Sequence, residues 1–77
     1  MNKERYTDPN YTPNENTSSE IELLNKQKED LSNLNLKEAQ LQKIYLVDAV
    51  MKNCDFSRSN LQNASMFGAN LSGSNLF

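Results

Sequence analysis

Cys54 is the only thiol in the chain, and the 77 residues contain no histidine to activate it. A cysteine nucleophile needs a neighbouring base or cation to hold it as the thiolate, so a thiol dyad of the usual kind is excluded. Asp48 and Asp55 are the carboxylates most open to acid–base work. That work needs a close pair whose environments push the two pKa values apart, and their spacing offers no such pairing. Lys43, Tyr45 and Asp48 can share a surface, where an ion pair is ordinary. Gly68 and Gly73 stand five apart, a spacing that makes no phosphate-binding loop, and no CxxC, HExxH, Walker or GxGxxG pattern occurs. The chemistry-bearing residues therefore predict no catalytic residue, no cofactor and no metal, and the protein is expected not to be an enzyme.

The elements that must carry these residues are set by a different pattern. A large apolar residue returns every five positions at Leu36, Leu41, Leu46, Met51, Phe56, Leu61, Met66, Leu71 and Leu76. Two residues before each lies a second small or apolar one: Leu34, Ala39, Ile44, Ala49, Cys54, Ser59, Ala64, Ala69 and Ser74. A helix repeats at about 3.6 residues and a strand at about 2. On a helix this ladder would wind around every side, and on a straight strand alternate members would face opposite ways. The pattern requires a chain that turns after each repeat and buries its apolar side only by stacking on its neighbours. Cys54 falls on an inward position, where a small thiol packs like alanine or serine. The remaining positions are mainly Asn, Asp, Ser, Gly and Lys, and several of these suit corners because they tolerate left-handed backbone or bond to it.

Before the ladder, residues 1–17 hold two prolines and two tyrosines among polar residues and read as a disordered arm. Residues 18–33 read as a helix. Ser19-Glu20-Ile21-Glu22 is a capping-box pattern, and Ile21, Leu24 and Leu31 lie on one stripe. This helix is expected to cap the open first coil.

Residues 34–77 resemble the pentapeptide-repeat family, whose consensus is similar to Ala-Asp/Asn-Leu-x-x. Ala69-Asn70-Leu71-Ser72-Gly73 matches it, and Ser59-Asn60-Leu61-Gln62-Asn63, Cys54-Asp55-Phe56-Ser57-Arg58 and Ser74-Asn75-Leu76 are close variants. The resemblance implies an all-β solenoid, a right-handed quadrilateral β-helix of about two coils with four repeats in each. Residues twenty apart would then stack, placing Leu36, Phe56 and Leu76 in one interior column. It also implies a bacterial, cyanobacterial origin.

On that square, Tyr45, Val47 and Phe67 point outward from one face, with Val50 beside it, while the other faces are mainly polar. An apolar patch on a polar solenoid suggests a partner contact. A second contact is expected at the C-terminal coil, which leaves Leu76 and Phe77 uncovered and invites self-association. The expected partner contact is therefore Tyr45, Val47, Phe67, Leu76 and Phe77. The chain is also expected to be a truncated piece of a longer array.

Charge narrows the partners. Residues 1–33 hold four basic and seven acidic side chains, a net −3, and residues 34–77 hold four basic and three acidic, a net +1. Neither half is basic enough for a nucleic-acid footprint. The longest apolar stretch, 44–51, is too short to span a bilayer, and no signal segment opens the chain. The expectation is a cytoplasmic, non-catalytic protein–protein interaction or scaffold module that binds no nucleic acid and no membrane. The alternative implied by the resemblance is a DNA-mimic regulator of a type II topoisomerase, disfavoured by the +1 charge and the short array.

Overall fold

The computed structural model of the chain describes residues 3–76. A 3-10 helix runs over Lys3–Thr7, and one α-helix, α1, covers Thr17–Lys26. The helix starts two residues before the expected cap. Its N-cap is Asn16, which makes no side-chain capping bond. The Ser19–Glu22 capping box does not form, because both glutamates on this turn bond to distant groups: the Tyr6 hydroxyl donates to Glu20, and the Tyr45 N–H donates to Glu22 Oε1 at 2.7 Å. Thr17 Oγ1 instead accepts the Asn14 N–H at 2.9 Å and ties the preceding loop to the helix start.

The helix also ends earlier than the stripe Ile21, Leu24, Leu31 predicts. Lys28 adopts left-handed backbone with φ 61°. Its N–H donates to the Asn25 carbonyl at 2.9 Å, and the Glu29 N–H donates to that of Leu24 at 3.1 Å. These are the two crossed bonds of a Schellman stop, here built on lysine rather than glycine. Lys28 is at the same time the first corner of the five-residue register. From it every fifth residue has positive φ: Asn33, Glu38, Lys43, Asp48, Asn53, Arg58, Asn63, Gly68 and Gly73. The repeats thus begin at Glu29-Asp30-Leu31-Ser32-Asn33, one unit before position 34.

Each corner is closed locally. In most repeats the N–H three residues after the central residue donates to its carbonyl, as from Ala39 to Leu36, Ile44 to Leu41 and Ala69 to Met66. With the left-handed residue third of four, this is a type II turn. The residue before the centre adds a side-chain bond when it is Asn or Asp. Oδ1 of Asp30, Asn35, Asp55, Asn60 and Asn70 accepts the N–H two residues on, at 2.9–3.2 Å. That Asx turn holds the chain in position for the bend.

The turned units stack. Six isolated parallel bridges join Asp30 to Val50, Asn35 to Asp55, Gln40 to Asn60, Tyr45 to Ser65, Val50 to Asn70 and Asp55 to Asn75. Every pair is twenty residues apart, so four repeats make one layer. Among the described residues no run is long enough to form an extended strand, because a corner interrupts pairing after each bridge. Inward residues fill the middle: Leu31, Leu36, Leu41, Leu46, Met51 and Phe56 are fully buried.

The N-terminal segment lies under the first layer. Tyr6, expected in a disordered arm, is 0% exposed and belongs to the core. It meets Tyr11 edge-on at 4.9 Å. Its carbonyl accepts the Asn35 N–H at 2.5 Å, where a preceding layer would pair. The Asn35 side chain in turn donates to the carbonyls of Asp8 and Pro9 at 3.2 Å. The composition of residues 1–17 is that of a mobile tail, yet its two tyrosines find a socket between the first layer and α1, where their hydroxyls meet Glu20 and Thr17.

Candidate contact surface

The face carrying Tyr45 is positioned from above and below. Above, the Asp48 N–H donates to the Phe67 carbonyl at 2.9 Å and that of Leu46 to Ser65 at 2.7 Å, so Val47 and Phe67 occupy equivalent places one layer apart. Below, α1 is fastened to the same face. Glu22 takes the Tyr45 N–H, and Asn25 Nδ2 donates to the Val47 carbonyl at 3.2 Å. Tyr45 is left 51% exposed, Val50 37% and Phe67 85%, while Val47 is half-buried. Phe67 is the most exposed large apolar side chain among those described.

A groove of about 510 Å³ runs between the end of α1 and this face. Tyr45, Val47 and Val50 form its apolar wall. Its rim carries Lys26 and Lys28 beside Glu29 and Asp48. The sequence pattern locates the wall but misses this rim, because the seating of α1 under the first layer depends on Glu22 and Asn25 reaching backbone more than twenty residues away. Leu76, the second expected contact, is 45% exposed at the other end of the stack, and Phe77 lies outside the described residues. The expected contact residues therefore fall in two separate places.

Cys54 and Asp55 make structural hydrogen bonds. Cys54 is buried, its thiol donates to the Leu31 carbonyl at 3.1 Å, and burial pushes its pKa up. Ser74, one layer above, does the same for Met51 at 2.7 Å. The two side chains replace the turn bond at this corner column. Asp55 accepts from the Ser57 hydroxyl at 2.6 Å and from its N–H, which holds its carboxyl below the usual range. Among the described residues no group of three or more His, Cys, Asp or Glu side chains could hold a metal ion, and no helix is long and apolar enough to cross a membrane.

No curated protein and no solved structure matches the chain. A family model described as pentapeptide repeats matches residues 35–73 in eight copies. The match spans just over half of the chain and lies within the stretch where every fifth residue is a positive-φ corner. The chain belongs to the pentapeptide-repeat family.

Proposed function

We propose that this chain is a non-catalytic interaction module, a right-handed quadrilateral β-helix that presents the Tyr45, Val47 and Phe67 face to a protein partner. Family membership supports a repeat-protein scaffold or interaction module. The twenty-residue bridges support the solenoid form. The observation that carries the lateral contact is Phe67, left 85% exposed one layer above Val47 in the groove's apolar wall. Desolvating such a side chain is a main source of association energy, and aromatic anchors dominate protein contacts. Nothing observed favours the DNA-mimic alternative, since the repeats from Glu29 onward hold four basic and five acidic side chains, a net charge of only −1.

A photo-crosslinker placed at position 67 of the full chain tests the reading. Capture of a protein that is lost on Tyr45→Ser supports it. Equal capture from position 62, on a polar face, would sink it.

A further inference from the structure

We propose that the lateral face pairs with the same face of a second copy, Phe67 of each chain seating in the groove beside Tyr45, Val47 and Val50 of the other. This rests on the lateral-contact reading above and adds the identity of the partner. The face carries both halves of a knob-and-socket contact. The knob is Phe67, 85% exposed, and the socket is the groove of about 510 Å³. They stand one layer apart, since the Asp48 N–H bonds the Phe67 carbonyl at 2.9 Å.

That proximity decides the symmetry. A knob and socket on different sides of a molecule build open chains, whereas both on one face allow a twofold axis to close two contacts at once. The rim points the same way. A rim of one sign would select an oppositely charged partner, but this one sets Lys26 and Lys28 beside Glu29 and Asp48. Among the described residues neither lysine is in an ion pair, whereas Glu29 already faces Lys3 at 3.9 Å, which leaves Asp48 as the acid open to a second copy. A twofold axis set between the basic and acidic sides of the groove brings Lys26 and Lys28 of one copy against Asp48 of the other. The low net charge of −2 leaves little repulsion between copies.

Size sets the strength. A buried aromatic contributes about 150–250 Å², so two seats with their walls fall at or below the roughly 1,200 Å² at the low end of specific interfaces. The dimer is therefore weak and concentration-dependent.

Sedimentation of the full chain from about 10 µM to about 1 mM tests this. Wild type is expected to rise from monomer toward dimer across that range, while Phe67→Ser and Val47→Arg each stay monomeric. The repeat accepts a long cation at position 47, because Lys37 and Lys52 hold the equivalent place elsewhere. Should Val47→Arg lose its fold by circular dichroism, Val50→Arg blocks the same wall and is read identically. The decisive sample is an equimolar mixture of Phe67→Ser and Val47→Arg. One variant keeps the socket and the other the knob, so the mixture should associate more than either alone. A wild type that stays monomeric, a Phe67→Ser variant that associates like wild type, or a mixture no better than its components overturns the pairing. A monomeric wild type that still crosslinks another protein from position 67 overturns the pairing alone; loss of both removes the lateral reading as well.

Discussion

Leu36 and Leu76 occupy the same interior column, two layers apart, and experience opposite environments. Leu36 is fully buried and Leu76 is 45% exposed. The contrast holds around the stack: Leu31, Leu41 and Leu46 are sealed, whereas Leu61, Met66 and Leu71 are only partly buried. Leu36 and Leu76 share residue type and register, as do Leu41 and Leu61, so neither explains the difference. The lower end has a cover. Tyr6 plugs the core, its carbonyl takes the Asn35 N–H, and Glu22, Asn25 and Lys3 meet the first layer's outward backbone groups. No described layer lies over Leu61 or Met66. In a stacked fold, burial is a property of neighbours above and below, which is why end units depend on what caps them.

The largest effect should come from placing a charge at the two ends of the column. Leu36→Lys buries an unpaired ammonium and should abolish folding, while Leu76→Lys should cost about 1 kcal/mol or less. Thermal melts followed by circular dichroism give both, and equal melting temperatures would break the comparison.

Removing the plug comes next. Tyr6→Ala should cost about 3–5 kcal/mol, the range for deleting a buried aromatic, as measured by urea unfolding. Burial, reinforced by the Glu20 hydrogen bond, raises the Tyr6 pKa. A phenol whose folded pKa is raised contributes stability that is present below its unfolded value of about 10 and lost as pH climbs beyond it. Tyr6→Phe should therefore unfold less steeply in alkali than wild type.

The upper corners sharpen the comparison differently. Lower corners use Lys28, Asn33, Glu38, Lys43 and Asp48, but the top ones are Gly68 and Gly73. At Gly68, φ is 74° and a Cβ would lie 2.2 Å from Asp48 Oδ1. Gly68→Ala should cost about 2 kcal/mol through left-handed strain plus this clash, and Asp48→Gly should recover the part due to the clash. A double-mutant cycle with no coupling would show that strain alone selects glycine there.

Asn35→Ala removes the amide that holds the Asp8 and Pro9 carbonyls and should cost about 1–2 kcal/mol. Limited proteolysis should then cut residues 8–16 faster, with the repeats intact. The smallest effect is acidic. Hydrogen bonds from Ser32 and Ser57 lower the Asp30 and Asp55 pKa values. A depressed carboxyl supplies stability above its unfolded value of about 4 and loses it as pH falls through the folded one. Asp55→Asn should flatten that acid limb slightly in pH-dependent melts.

Much of the repeat region was legible from the ladder alone. Twenty-residue stacking, and with it the shared side of Val47 and Phe67, was implied by the family resemblance and not by the period, which does not fix how many repeats make a layer; the bridges agree with it. The helix boundary was not legible. Leu31 satisfies a helical stripe with Ile21 and Leu24 and also the five-residue ladder, and only the left-handed turn at Lys28 separates the two. A glycine there would have announced the stop; lysine does not. The Tyr6 socket was equally hidden, since the arm's composition carries no sign of a site formed by α1 and the first layer, with Glu20 and Asn35 as partners.

By itself, then, the sequence determined where the chain turns and which side chains face inward, because both are local consequences of a repeating five-residue pattern. Only the tertiary structure decided which inward residues are sealed, how α1 and Tyr6 close the first layer, and that a groove forms beside Phe67. Those depend on contacts between segments far apart in the chain, made by side chains such as Glu22, Asn25 and Asn35 whose local spacing reveals nothing of their partners.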